Sequence, residues 1–110
     1  MSGKSARREK LERSLAEVPQ DTFLRYALAV QCLRDGDLDE GRDRLRSLIA
    51  DHPDDQIAAY QQLGQSFAES GEDEQAMAVL QAGITRAQAR KDMHAAAEME
   101  QLLQILRARP

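Results

Sequence analysis

The sequence contains one cysteine, three prolines, no tryptophan, no asparagine and only four aromatic residues in 110. A single cysteine, Cys32, cannot close an intramolecular disulfide, so no disulfide framework organises the chain. Few stretches combine the β-branched and aromatic residues that favour a strand. No apolar run approaches the roughly 18 residues of a membrane span. The opening Met-Ser-Gly-Lys-Ser-Ala-Arg-Arg-Glu-Lys also lacks the apolar segment of a secretory signal, so the expected location is cytoplasmic. Strong charge of one sign is missing too. The net charge of -4 is mild and argues against wholesale attachment to nucleic acid or to an anionic membrane. It is unevenly placed, with residues 1–20 carrying +2 and the remainder -6.

What is present is 42% hydrophobic and 31% charged residues, which suits a folded helical chain better than a disordered one. The length allows one compact all-α domain of five to six short helices. The stretch from Ala59 to Ala76 reads as helix, turn, helix. Tyr60, Leu63, Gly64 and Phe67 share one face at a 3.6-residue period, Gly71 stops the helix, and an acidic run leading to Ala76 starts another. The same signature occurs upstream, where Leu28, Ala29, Cys32, Gly36 and Gly41 each lie 35 positions before Leu63, Gly64, Phe67, Gly71 and Ala76. Pro19 precedes Pro53 by 34. Two copies of one helix pair are therefore expected, over residues 21–53 and 54–90.

Flanking helices complete the pattern. Residues 1–20 predict a capping helix from Ser5 to about Glu17, with Leu11, Leu15 and Val18 inward and Arg7, Arg8, Glu9, Lys10 and Arg13 in solvent. RNA or an acidic protein is a second explanation of the basic cluster, and a solvated helix face accounts for it equally well. In the first repeat Asp21 is the expected N-cap of a helix over about 22–35 whose inner stripe is Leu24, Leu28, Ala29 and Cys32. Gly36 ends it, and Asp37 caps a helix with Leu38, Gly41, Leu45, Leu48 and Ile49 inward. The second repeat predicts helices over about 56–70 and 73–88. Residues 91–110 predict a turn and a final helix, from about Met93 to Arg107, that covers the apolar end with Ala95, Met99, Leu102, Leu103 and Leu106.

The period and the glycine, alanine and proline positions resemble the tetratricopeptide repeat, and Lys91-Asp92-Met93-His94-Ala95-Ala96-Ala97-Glu98-Met99 resembles the closing helix of short bacterial proteins with two such repeats. The resemblance implies an antiparallel helix-pair solenoid and a role in holding other proteins. It also implies close helix crossings, with Ala29 facing Gly41 and Gly64 facing Ala76. Departures from the family pattern are Arg25 at an aromatic position that Tyr60 fills in the second repeat, Cys32 at another, and Leu48 and Gly83 where alanine is usual.

By the same resemblance a concave groove is lined by Phe23, Tyr26, Ala27, Val30, Leu33 and Arg34, then Ala58, Gln61, Gln62, Gln65, Ala68 and Glu69, with His94 and Glu98 on the closing helix. The first set is apolar and the second rich in amides, which suits an extended or helical segment of a protein or peptide. Relatives that grip C-terminal carboxylates use lysine, arginine and asparagine, whereas Tyr26, Val30 and Gln62 occupy the corresponding positions here. An internal segment is therefore the expected ligand. The alternative is a self-associating structural protein, a homo-oligomer with no foreign ligand.

Catalysis, cofactors and metals find little support in the residues. His52 ends a helix, and His94 with Glu98 makes half a metal site at best, with no further ligand cluster. Cys32 lies on an apolar stripe without an electropositive setting. The acidic groups Asp37/Asp39/Glu40 and Glu72/Asp73/Glu74 open helices, where negative charge complements unpaired N–H groups, and neither fits a calcium loop.

Overall fold

A computed structural model describes residues 3–110, in which six helices and no strands are found. They are α1 (Ala6–Glu17), α2 (Thr22–Arg34), α3 (Leu38–Asp51), α4 (Ile57–Glu69), α5 (Asp73–Ala89) and α6 (Met93–Ala108). Each helix packs on the next, and α4 also touches α2 and α6, so that α2, α4 and α6 follow one another as one wall. The smallest dimension of the molecule is 19 Å, about two helix diameters, which makes the array two layers thick.

Local chemistry sets the helix ends. Ser5, Asp21, Asp37 and Asp92 each accept a backbone N–H of the first turn through the side chain. Three turns share one closure: Asp37, Glu72 and Asp92 donate their N–H to the carbonyls of Cys32, Phe67 and Ala87. This geometry needs a left-handed residue just past the helix. Gly36 and Gly71 supply it at φ 86° and 75°, and in the third turn Lys91 takes φ 61° despite its side chain. The turn between α3 and α4 differs, because Pro53 cannot continue a helix. Tyr60 fixes that turn by donating its hydroxyl to the Pro53 carbonyl at 2.8 Å.

The continuous core runs from Ala29, Leu45 and Leu48 through Tyr60, Leu63, Phe67, Ala76, Leu80 and Ile84 to Met99, Leu103 and Leu106. The crossings are tight and fall at the expected pairs, since a Cβ on Gly41 would lie 3.1 Å from the Ala29 carbonyl and one on Gly64 3.7 Å from the Ala76 carbonyl, but a leucine comes closer still in each. A Cβ added at Gly41 would lie 2.6 Å from Leu33 Cδ2, and one at Gly64 would lie 2.7 Å from Leu80 Cδ2. A leucine laid over the partner helix therefore requires each glycine. Gly83, read as a departure from an alanine position, makes the third close approach, to Tyr60 Cβ and Met99 Sδ, each at 2.7 Å.

Several inner and outer assignments are corrected. Arg8, expected in solvent, is 2% exposed, with its guanidinium among acidic groups at the α2–α3 turn. Val18 is 48% exposed and Leu38 37%, although both were placed inward. Val18 lies past the end of α1, and Leu38 opens α3 at the edge of a cleft. Arg25 fits its aromatic position by burying most of its side chain while Nη2 reaches Asp51 at 2.8 Å.

Candidate functional site

Helices α2, α4 and α6 carry all fourteen residues expected in the groove, including Ala27 and Leu33 on α2 and Ala58 and Ala68 on α4. Phe23, Tyr26, Val30 and Arg34 lie on α2, Gln61, Gln62, Gln65 and Glu69 on α4, and His94 and Glu98 on α6. Between α2 and α4, Val30, Arg34, Gln62, Gln65 and Glu69 line a cleft of about 460 Å³, with Leu33, Leu38, Ser66 and Ser70 completing it. Toward the start of α2 a second hollow of about 250 Å³ holds Phe23 and Tyr26 opposite Gln56 and Ala58.

Hydrogen bonds join the wall side to side. Tyr26 bonds the Gln62 side chain, linking α2 to α4, and burial raises the Tyr26 hydroxyl above its ordinary pKa against the opposing effect of that bond. Gln61 Nε2 donates to Glu98 Oε1 at 3.1 Å, linking α4 to α6, and His94 Nε2 lies 3.4 Å from the same carboxylate. Gln65 Nε2 donates to Glu69 one turn on, at 3.3 Å. Phe23 remains 75% exposed, and Arg34 is exposed and makes no ion pair among the described residues. The wall therefore offers one free ring, one free guanidinium and a row of amides.

Three residues of this wall also serve the fold. Leu33 packs over Gly41 and Ala68 is buried in the core, so each is a packing residue first. Tyr26 is half-buried against the core and bonded to Gln62, so it is also a structural residue. His94 and Glu98 form a surface pair, and among the described residues no group of three or more His, Cys, Asp or Glu is arranged to hold a metal.

Sequence reasoning missed Arg42, which ties the first repeat to the second from behind the cleft. Its Nε donates to Ser66 Oγ at 2.9 Å, its Nη2 to the Ser66 carbonyl at 3.0 Å and to Ser70 Oγ at 2.9 Å, and its Nη1 to Glu72 at 3.0 Å. The guanidinium also lies 4.5 Å from the centroid of the Phe67 ring. Glu72, assigned to the start of a helix, makes no capping bond because its carboxylate serves Arg42. An arginine beside Gly41 reads as solvated in any hydropathy pattern. Serines at 66 and 70, one turn apart, were the one available hint of a buried donor nearby.

Comparison with known proteins agrees with this architecture. Residues 21–55 match the sequence model of the tetratricopeptide repeat. No curated protein matches the chain. The solution structure of a tetratricopeptide repeat domain protein from Salinibacter ruber is 23% identical, covers 80% of this chain and 88% of its own, and has a TM-score of 0.75. A crystal structure of a tetratricopeptide repeat domain protein from the same organism is 21% identical, covers 83% and 100%, and has a TM-score of 0.76. A protein of Bordetella parapertussis is 25% identical over 94% of this chain and 89% of its own, with a TM-score of 0.81. Residues 21–55 are thus similar to a tetratricopeptide repeat, and the chain as a whole has the all-α helical-repeat fold of these structures. None of its described helices is long and apolar enough to cross a membrane.

Proposed function

We propose that the protein is a non-catalytic interaction module that holds an internal segment of another protein along the α2–α4–α6 wall. The observation that carries this reading is the cleft between α2 and α4, where apolar Val30 and Leu33 adjoin Arg34, Gln62, Gln65 and Glu69. Such a surface offers an apolar seat beside side chains able to bond a peptide backbone. Arg34 stands alone among these residues as a cation, so a C-terminal carboxylate would lose water for a single ion pair. A peptide and its C-terminally amidated form should therefore bind alike.

The test is retention of a partner by the full chain compared with Phe23→Ala combined with Gln65→Ala. Both side chains are exposed, so the unfolding free energy should stay within about 0.5 kcal/mol of the parent's. Full retention by the folded double variant would reject the groove. Exposed Phe23, Met93 and Ile105 favour a second reading, self-association without a foreign ligand. Light scattering separates the two, because the second requires a dimer or larger species that one of these exposed residues controls.

A further inference from the structure

Helix α1 is fastened differently from the other five. Its sole buried side chain is that of Arg8, while Leu11 and Leu15 are half-buried. Ser5 donates its N–H and hydroxyl to Asp35 Oδ2 at 2.9 and 3.0 Å, and Gln31 holds the other oxygen of that carboxylate at 3.0 Å. Arg8 Nη2 donates to Asp37 at 2.9 Å and Glu40 at 2.8 Å. Its Nε lies 3.6 Å from Glu12 and makes no hydrogen bond. Charge and polar bonds thus do for α1 what packed leucines do for the rest of the array.

The surface at this junction is distinct too. Leu28 and Cys32 are buried on α2, yet they stand outside the continuous core that joins the two repeats and α6. Cys32 Sγ lies 3.7 Å from Glu40, and Arg8 is near enough to act electrostatically on the thiol. We propose that α1 is a detachable cap held by a charge latch, and that breaking the Arg8–Asp37–Glu40 contacts lifts it and uncovers the α2 face that contains Leu28 and Cys32. The charged groups around Arg8 are Glu12 on α1, which also pairs with Lys4 at 3.1 Å, Asp35 and Asp37 at the end of α2 and the turn, with Lys4 near enough to act on Asp37, and Glu40 on α3, which also pairs with Arg44 at 2.8 Å. Asp37 and Glu40 are partly exposed, so salt reaches the latch although Arg8 itself is covered. The remaining helices keep their own core, so the opening is local.

Cys32 reports on the latch, because burial raises its thiol to about 11 and holds it unreactive while α1 is seated. The experiment is the rate of Cys32 labelling by a soluble thiol reagent at fixed pH, with helix content followed in the same samples. Arg8→Gln should label about tenfold faster while keeping its helix content and main unfolding transition, as a local opening requires. Arg7→Gln, the same change at an exposed neighbour, should label at the parent rate. The unaltered protein should label several-fold faster in about 1 M than in about 0.1 M sodium chloride, where the screening length falls from about 10 to about 3 Å. The proposal is overturned if Arg8→Gln labels at the parent rate, if Arg7→Gln is equally fast, or if labelling follows global loss of helix. Should Arg8→Gln fail to fold, the salt series on the parent decides, and a flat series overturns it.

Discussion

Restoring alanine at Gly83, where tetratricopeptide repeats usually carry it, should weaken this protein. Helix propensity alone favours the change by about 1 kcal/mol. Against that gain, the added Cβ would meet Tyr60 Cβ and Met99 Sδ at 2.7 Å and Tyr60 Cγ at 3.3 Å. Carbon atoms in contact prefer about 3.5–4.0 Å, so the shortfall at Tyr60 approaches 1 Å. Met99 can turn its flexible end away, but the Cβ of Tyr60 is fixed to the α4 backbone, and relief there means moving a helix. Overpacking of this kind costs about 1–3 kcal/mol, and because it is met here from two helices at once the upper part of that range, about 2–3 kcal/mol, applies, so the net loss should be about 1–2 kcal/mol. In a domain of this size that corresponds to a fall of roughly 5–10 °C in melting temperature. Circular dichroism of the helical signal during heating measures it. Combining the change with Met99→Ala should reduce the penalty of Gly83→Ala without abolishing it, because Tyr60 remains. An unchanged or raised melting temperature, or an equal penalty in both backgrounds, would refute the crossing as described.

Three further outcomes follow from other contacts. Arg42→Ala should cost about 3 kcal/mol in thermal unfolding, since charged hydrogen bonds to Ser66, Ser70 and Glu72 are lost together, and Arg42→Lys should recover only part because an ammonium lacks the planar fork. Lys91→Gly should raise the melting temperature, by up to about 1 kcal/mol of stability, because Lys91 holds φ 61°, where a Cβ is strained; a loss instead would show that the chain relieves that strain elsewhere. Acid should loosen the first helix first. The Ser5 N–H holds Asp35 below the usual carboxylate range, the Arg8 hydrogen bond does so for Asp37, and the Arg44 hydrogen bond does so for Glu40. Groups with depressed pKa values contribute stability that is present above their ordinary range and lost as pH falls through the lowered ones. Amide exchange in the first helix should therefore quicken relative to that in the fourth from about pH 4 downward, and the change should be smaller in Arg8→Gln.

The order of elements was legible from the chain because it rests on local chemistry. Glycines 36 and 71, prolines 19 and 53 and the capping residues Asp21 and Asp37 act within a few bonds of their own backbone, so these residues alone placed six helix ends within one or two residues. The apolar face of α4, from Tyr60 to Phe67, was readable for the same reason: its period is that of the helix. The groove residues were placed on α2, α4 and α6 by their position in the repeat. Whether each is free to meet a ligand was not readable, since it depends on neighbours distant in sequence, such as Gln62 for Tyr26 and Gly41 for Leu33.

Arginine marks the boundary most sharply. Nothing in hydropathy separates Arg7 from Arg8 or Arg42 from Arg46, yet tertiary contact buries one of each pair and leaves the other in water. Burial of a guanidinium becomes favourable only when folding assembles its acceptors. Those of Arg8 lie 29 and 32 residues away, and those of Arg42 lie 24 to 30 away. The sequence by itself determined which segments become helices and where the chain turns. The tertiary structure decided which charged side chains lock those helices together, because a charge leaves water only for partners that the finished fold brings within hydrogen-bond distance.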